Sequence, residues 1–304
     1  TSPDGTYKVV QQKQNKYQDL SLSLSKEKAG LGGAYVRGFK YAMKELKADV
    51  VIEFDGDFQH PPETIPVMLA EIDAGADYVL GSRKIKDGSN PQDWGFKRVF
   101  LSEFGGFTAR FILFFPFKNF WKITDPTTGL KASRVKGFVD RLDMDHLYSR
   151  SFAYKLEFLF KMMALGAKVK EIPLQFGLRE SGASKIEPQT AKEILVTVIK
   201  LRLNDPFTKK FIKFGIVGFT GYIVNAVGLA AVFNLTGIEW LAWLISTELA
   251  VISNFTWNNL WTFKADKITG LAHLAKKFAQ FNFTSAGALL IQTIFGAGLV
   301  YLTG

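Results

Sequence analysis

The sequence predicts a charged α/β domain followed by an α-helical membrane domain. Residues 211–304 contain only eight Lys, Arg, Asp or Glu side chains, whereas the preceding residues carry all the others. The same C-terminal region contains three long apolar runs. Upstream of it, helical and strand-like patterns alternate, as in sheets that are covered by helices.

Composition narrows the classes of function. The chain has 304 residues, of which 47% are hydrophobic, so it is not a disordered chain. It has no Cys, which excludes a disulfide scaffold, a zinc ribbon and a thiol nucleophile. The net charge of +10 favours an anionic partner, either nucleic acid, lipid head groups or a phosphorylated substrate.

The first part of the chain alternates between the two element types. This β/α order predicts a parallel sheet covered by helices, with its functional site at the carboxyl ends of the strands. A proline near the start supports the third of the helices. The patterns place helices at 7–17, 34–47 and 62–74, and strands at 20–24, 49–54 and 77–80.

A metal-binding pattern follows the second of these strands. Asp55 and Asp57 lie one residue apart directly after the buried run, and Gln59 adds a neutral oxygen. Carboxylate and amide oxygens are suitable ligands for Mg²⁺ or Mn²⁺, which keep open positions for phosphate oxygens. His60 is more typical of a structural histidine than of a ligand.

The C-terminal region predicts three membrane spans. Each run is long enough to cross about 30 Å of hydrocarbon. Lysines and arginines precede the first run and separate the second from the third, so the charged domain is expected on the cytoplasmic side. The runs are Phe214 to Leu235, Trp240 to Trp261, and Phe283 to Leu302.

The membrane region also contains an internal repeat. Residues 209–237 and 276–304 align without a gap and share eight identities, including the Lys-Lys-Phe start and the Leu-Thr-Gly end. Matching ends at matching topology indicate two helix-pair repeats. Because the second copy stops where its returning helix would start, a fourth span is expected after Gly304.

These motifs resemble those of dolichol-phosphate mannose synthases, which are family 2 glycosyltransferases. The Asp-Gly-Asp-Phe-Gln-His-Pro-Pro-Glu run at 55–63 is similar to their metal motif. The segments 2–6, 30–34 and 81–83 are similar to their first loop, next helix start and following strand end. The membrane region resembles the four-helix GtrA module that some of these enzymes carry.

The resemblance implies a GT-A (Rossmann-like) catalytic domain at 1–185, an amphipathic interface helix and linker at 186–208, and a transmembrane domain at 209–304. The opening strand of the family would lie before Thr1. The implied reaction transfers mannose from GDP-mannose to dolichyl phosphate with inversion. Its product is a lipid-linked sugar donor for protein glycosylation.

The resemblance also implies roles for individual residues. An acceptor phosphate is already an anion and needs fixed cations more than a general base. The metal would bind to Asp55, Asp57 and Gln59, and the donor would in addition contact Pro3, Asp4 and Arg83. The lipid phosphate would be held by Arg83, Arg98, Ser102, Arg179 and Lys185, and the residues expected to act in catalysis are Asp57, Arg83, Arg98, Ser102 and Arg179.

Two amphipathic stretches suit a lipid acceptor. Phenylalanines at 100, 104, 107, 111 and 114 recur at helical spacing and are expected on one face. That face either packs against the core or lies in the membrane interface. Residues 190–204 form the second stretch.

Other functions remain open at this point. A UDP-glucose-dependent polyprenyl-phosphate glucosyltransferase would share most of these motifs. A lipid-linked sugar flippase with a sugar-nucleotide-sensing domain is the alternative from another class, although Glu248 is the lone carboxylate within the predicted spans. A nucleic-acid binder fits the charge but neither the spans nor the clustered carboxylates.

Overall fold

A computed structural model describes residues 5–25, 27, 29–92, 94–178, 188–285 and 287. The chain divides into two compact units, Thr1–Leu203 and Asn204–Gly304, which we call unit 1 and unit 2. Each unit is described separately below.

Unit 1 is a mixed α/β unit. Its described α-helices are α1 (Thr6–Gln14), α2 (Gly30–Lys44), α3 (Thr64–Asp73), α4 (Phe96–Phe114), α5 (Lys118–Lys122), α6 (Tyr154–Ala164) and α7 (Pro188–Asn204), the last ending at the border of unit 2. Its described strands are β1 (Val50–Glu53), β2 (Tyr78–Ser82), β3 (Lys131–Arg134) and β4 (Val169–Pro173). The predicted helices at 7–17, 34–47 and 62–74 therefore correspond to α1, α2 and α3.

The sheet is mixed, which corrects the prediction of a parallel one. Its strand order is β1-β3-β2-β4. Strand β3 runs antiparallel to both β1 and β2, and β2 runs parallel to β4. The sequence Lys-Ala-Ser-Arg of β3 lacks the apolar run by which a buried strand is recognised, although its first three residues are buried.

The predicted strand at 20–24 is wrong. These residues are in irregular structure and belong to none of the four strands of the described sheet. Alternating apolar side chains indicate a strand, but a strand also needs neighbouring backbone donors and acceptors. No described strand supplies them to this segment.

The sheet is covered by helices on both faces, as predicted. In β2, Tyr78 and Leu80 contribute to one buried cluster, while Val79 contributes to the other. Such alternation places successive residues of a strand on opposite faces. The first cluster includes residues of α2, α4, α6 and α7, and the second includes Met68 and Ile72 of α3.

The structure corrects the prediction that all five phenylalanines of α4 lie on one face. Phe100, Phe104, Phe107 and Phe111 are all exposed, whereas Phe114 is buried. The buried side of the helix instead contains Gly106, Ala109 and Leu113. The interpretation that the stripe packs against the core is therefore wrong for its first four members.

Unit 2 begins with a helical hairpin. Helix α8 (Pro206–Thr236) ends at Gly237, whose left-handed backbone (φ 67°) leads into α9 (Glu239–Trp257). Gly221 lies against Asn254, and Gly228 lies against Ser246, so the two helices are antiparallel. A π-helical turn (Asn258–Thr262) and a 3₁₀ turn (Lys264–Asp266) follow, and another helix covers residues 271–285.

Among the described helices, only α8 is long and apolar enough by itself to cross a membrane. Helix α9 contains Glu248, which accepts hydrogen bonds of 2.8 and 3.1 Å from the Asn282 amide. The second span therefore stays a prediction. The third span and most of the second repeat lie outside the described residues.

Candidate active site

The candidate site lies on the loop that follows β1. The Tyr35 hydroxyl donates a 2.8 Å hydrogen bond to Asp55 Oδ1. The Lys155 ammonium lies 3.8 Å from the other carboxylate oxygen, and the backbone N–H of Asp55 donates to His60 Nδ1 at 3.1 Å. Asp55 is thus fixed at both ends before any ligand binds.

The next two predicted ligands share the same turn. The backbone N–H of Gln59 donates to Asp57 Oδ1 at 3.3 Å. The buried Gln59 side chain donates from Nε2 to the carbonyl oxygen of Gly177 at 3.1 Å. Phe58 between them has a left-handed backbone (φ 62°), which turns the chain sharply. The structure therefore brings Asp55, Asp57 and Gln59 onto one tight turn.

This turn fits a divalent ion whose remaining ligands come from elsewhere. Among the described residues, no three His, Asp or Glu side chains are grouped to hold a metal. Two carboxylates and one amide oxygen leave a hard cation with open positions, which a diphosphate and water can fill. The donor set therefore predicts that metal and diphosphate bind together.

Gly129 lies against this turn. A Cβ atom at this position would lie 2.9 Å from Lys155 Nζ and 3.0 Å from both Asp55 Oδ2 and His60 Cε1. Any larger residue would therefore displace the Asp55 carboxylate or the Lys155 ammonium group beside it. The sequence alone does not reveal that Gly129 touches the aspartate loop.

His60 is a structural histidine, as its sequence context indicated. Its ring is buried between Phe54 and Phe176, with ring centroids 5.5 and 5.3 Å away. Because Nδ1 accepts the Asp55 N–H, the proton of the neutral ring lies on Nε2. Burial lowers the pKa of His60 to about 4, although the neighbouring Asp55 acts in the opposite direction.

This low pKa predicts that the chain loses stability in acid. Unfolded His60 titrates near pH 6.5, so its contribution is complete above that pH and is lost as the pH falls to about 4. The full effect is about 3 kcal/mol. The variant His60→Asn can still accept the Asp55 N–H but does not titrate. We expect its melting temperature to fall less between pH 7 and pH 4 than that of the parent chain, and parallel curves would contradict this.

A buried cluster of charged side chains lies next to the turn. Glu53 and Lys131 are both fully buried. Burial raises the pKa of Glu53, and the charges of Lys131 and Lys155 oppose this shift. The Tyr154 hydroxyl donates a hydrogen bond to the Glu53 carboxylate. Lys131 donates to the carbonyl oxygen of Lys155 at 2.8 Å, and burial lowers its pKa to about 8. Glu53, Tyr154, Lys131 and Lys155 thus form a linked buried cluster, of which Lys155 lies beside Asp55.

Arg83 makes a bidentate ion pair that the sequence did not indicate. Its Nε and Nη2 donate to the two carboxylate oxygens of Asp125 at 2.6 and 2.8 Å. The carboxylate is completely buried. Burial alone would raise the pKa of Asp125, but the Arg83 guanidinium more than offsets this and lowers it. Arg83 is therefore rigid, and its charge is largely neutralised.

A second carboxylate fixes the segment that carries Asp125. Glu171 of β4 accepts hydrogen bonds from the backbone N–H groups of Thr124 and Asp125 at 2.8 and 3.0 Å. It also accepts one from the Thr124 hydroxyl at 2.7 Å. No motif marks either acid, because Arg83, which pairs with Asp125, and Thr124, which pairs with Glu171, lie more than forty residues from their partners.

The remaining predicted site residues are placed only in part. Arg98 and Ser102 lie one turn apart near the start of α4, and the Arg98 guanidinium stacks on Trp94 at 4.2 Å from its centroid. Pro3, Asp4, Arg179 and Lys185 lie outside the described residues.

Glu157 is engaged within the fold. It is buried, pairs with Lys161 at 2.7 Å and accepts the backbone N–H of Tyr148 at 2.8 Å.

The chain matches two family models. Residues 1–151 match the glycosyl transferase family 2 model, and residues 213–304 match the GtrA/DPMS transmembrane domain. The latter match shows that the chain is a membrane protein.

Among curated relatives, a dolichol-phosphate mannosyltransferase of Pyrococcus furiosus is 35% identical over 263 residues, covering 86% of this chain and 70% of that protein. An undecaprenyl-phosphate mannosyltransferase of Micrococcus luteus is 31% identical over 199 residues, covering 66% and 78%. A polyprenol monophosphomannose synthase of Mycolicibacterium smegmatis is 30% identical over 198 residues, covering 65% and 71%. The chain therefore belongs to the family 2 glycosyltransferases of the dolichol-phosphate mannosyltransferase type.

Proposed function

We propose that the protein transfers mannose from GDP-mannose to a polyprenyl phosphate such as dolichyl phosphate, with inversion at the sugar. The observation that carries this is the turn of Asp55, Asp57 and Gln59 at the end of β1. It lies in a chain most of which aligns with a dolichol-phosphate mannosyltransferase. We assign catalysis to residues 1–185, lipid access to 186–208 and membrane anchoring to 209–304.

Asp55, Asp57 and Gln59 would hold Mg²⁺ or Mn²⁺. The bound ion would neutralise charge on the leaving diphosphate. Tyr35 and Lys155 keep the Asp55 carboxylate in place, so the turn does not have to reorganise when donor binds. Pro3 and Asp4 complete the donor site in this proposal.

The acceptor needs positive charge rather than a base. One oxygen of the lipid phosphate attacks the anomeric carbon, the bond from that carbon to the diphosphate breaks, and GDP leaves. Near neutral pH the attacking phosphate already carries one to two negative charges. The side chains must therefore overcome repulsion between acceptor and donor phosphates.

Arg98 and Arg179 supply most of this charge in our proposal, together with Ser102 and Lys185. Their planar guanidinium groups bind two phosphate oxygens at once. Because Asp125 largely neutralises Arg83, we assign Arg83 to orienting the phosphates between donor and acceptor.

The lipid would reach unit 1 from the membrane surface. Because lysines flank the predicted spans, we expect this unit on the cytoplasmic side. The exposed phenylalanines of α4 form a stripe that suits burial in the membrane interface. We define this α4 stripe as Phe100, Phe104, Phe107 and Phe111.

The α4 stripe gives a testable prediction about lipid use. Phe104 and Phe107 are 59% and 50% exposed, so replacing both with Ser should leave the melting temperature within about 2 °C. The KM for polyprenyl phosphate should rise roughly tenfold or more, because the apolar contact with lipid is lost. The buried Phe114→Ser serves as the contrast and should destabilise the fold by about 3 kcal/mol or more. An unchanged KM in the double variant would show that the stripe does not meet the membrane.

Donor choice tests the proposed function against its nearest alternative. The full chain in lipid nanodiscs is given polyprenyl phosphate and either GDP-mannose or UDP-glucose, each labelled in the sugar. We expect label in the chloroform-soluble product from GDP-mannose and at least tenfold less from UDP-glucose. A donor site whose hydrogen-bonding groups match one donor readily discriminates by this factor. The reverse preference would establish the glucosyltransferase.

A further inference from the structure

Unit 2 contains an open cleft that the proposed reaction does not use. It lies at the end of the α8–α9 hairpin where α8 begins and the π-helical turn ends. Its volume is about 520 Å³. We call it the basic cleft, and the side chains that matter here are Lys209, Lys210, Lys213, Trp261, Thr262 and Lys264.

The charge of the basic cleft is strongly positive. Its lining includes four lysines and no acidic residue. Asp266 pairs with Lys210 at 3.1 Å from just outside the lining, which leaves three lysine charges without that partner. The Lys213 ammonium lies 5.3 Å from the centroid of the Trp261 ring, so the aromatic ring holds this cation beside the cleft. Such a concentration of positive charge attracts anions.

A buried hydroxyl points to the same ligand. Thr262 lines the cleft, is only 4% exposed, and its Oγ1 has no hydrogen-bond partner among the described residues. A buried hydroxyl that makes no hydrogen bond is unfavourable by about 1–3 kcal/mol. An oxygen atom of a bound ligand would satisfy it. The lysines attract an anion, and the hydroxyl needs a hydrogen-bond acceptor. An oxyanion meets both requirements.

We propose that the basic cleft binds the phosphate group of an anionic membrane phospholipid. Helix α8, which can span a membrane, starts at the cleft, so the cleft lies at the level of lipid head groups. Basic pockets at this level bind anionic head groups through charge. Its cations are all lysines, whose point charges accept varied phosphodiesters, whereas arginine forks favour one geometry. The site therefore favours abundant phospholipid over the polyprenyl phosphate that is the proposed acceptor.

The test measures lipid binding to the purified full chain in detergent. Phosphatidylglycerol and phosphatidylcholine are titrated separately, and bound lipid is quantified by native mass spectrometry. We expect phosphatidylglycerol to bind at least tenfold more tightly. Replacing Lys209, Lys213 and Lys264 with Ala should weaken it by roughly fivefold per lysine, or about 10²-fold in total. Lys267→Ala with Lys276→Ala is the matched control, because neither residue lines the cleft, and should change binding less than threefold.

Thr262→Val separates a built site from general surface charge. It keeps every lysine and the side-chain shape but removes the hydroxyl, and should weaken phosphatidylglycerol binding about tenfold. Equal losses in the control and the triple lysine variant, or no effect of Thr262→Val, would overturn the proposal. Displacement of phosphatidylglycerol by polyprenyl phosphate or inorganic phosphate at lower concentration than by phosphatidylglycerol itself would overturn the phospholipid as occupant.

Discussion

Replacing Asp57 with Ala should reduce mannosyl transfer at least 10³-fold while leaving the fold intact. The carboxylate is half-buried and accepts the backbone N–H of Gln59 within its own turn. The substitution would also remove one of the two carboxylates that we propose hold the metal at the leaving diphosphate. Loss of a single transition-state contact commonly lowers kcat by 10²–10³, and loss of the ion should exceed that.

Binding of Mn²⁺ can be measured directly from its electron paramagnetic resonance signal, without relying on transfer activity. We expect the parent chain to bind Mn²⁺ tightly only with GDP-mannose present, because the turn supplies too few ligands alone. Asp57→Ala should abolish this donor-dependent binding. Asp73→Ala, an exposed acid at the other end of α3, is the control and should behave like the parent chain. Normal transfer by Asp57→Ala, with no effect of a chelator, would show that the turn is not a metal site.

Replacing Arg83 with Ala should lower the melting temperature by about 10 °C and abolish measurable transfer. Asp125 is completely buried, so this variant leaves its carboxylate without the guanidinium that stabilises it. Removing one partner of a buried ion pair costs about 3–5 kcal/mol. For a unit of this size, each 1 kcal/mol shifts the melting temperature by about 2–4 °C.

A matched double variant separates the two effects. In Arg83→Met with Asp125→Leu no charge is left unpaired, and its melting temperature should recover to within about 4 °C of the parent chain. Its transfer activity should remain absent, since the phosphates would lose an orienting cation. If the double variant is as unstable as Arg83→Ala, the pair is not what stabilises this region. If it regains activity, Arg83 has no role in transfer.

The metal turn could be predicted from sequence because all of its signals are local. A short apolar run, two carboxylates and the amide that follows them occur within eleven residues. Both faces of the sheet are covered, as the alternation of helices and strands indicated. The Arg83–Asp125 pair and the contacts of Glu171 could not be found in this way, since each joins residues more than forty positions apart.

The antiparallel β3 was missed for a different physical reason. Lys131 and Ser133 are polar, yet both are fully buried, because Lys131 pairs electrostatically with Glu53 and donates to a backbone carbonyl group. Buried polar residues with partners follow no hydrophobic pattern. The α4 stripe shows a second limit of prediction from sequence. Its spacing defined a helix face, but periodicity does not tell whether that face meets the protein core or the membrane.

The most direct test of the proposed reaction uses GDP-mannose labelled with ³H in the sugar and ³²P in the β-phosphate. The full chain in nanodiscs is incubated with this donor, polyprenyl phosphate and Mg²⁺, and the products are partitioned into chloroform. Our account predicts ³H in the chloroform phase and all ³²P in the aqueous phase as GDP, since the carbon–oxygen bond to the diphosphate breaks. Both labels in the chloroform phase would mean that a sugar phosphate is transferred, and the proposed mannosyl transfer would be wrong.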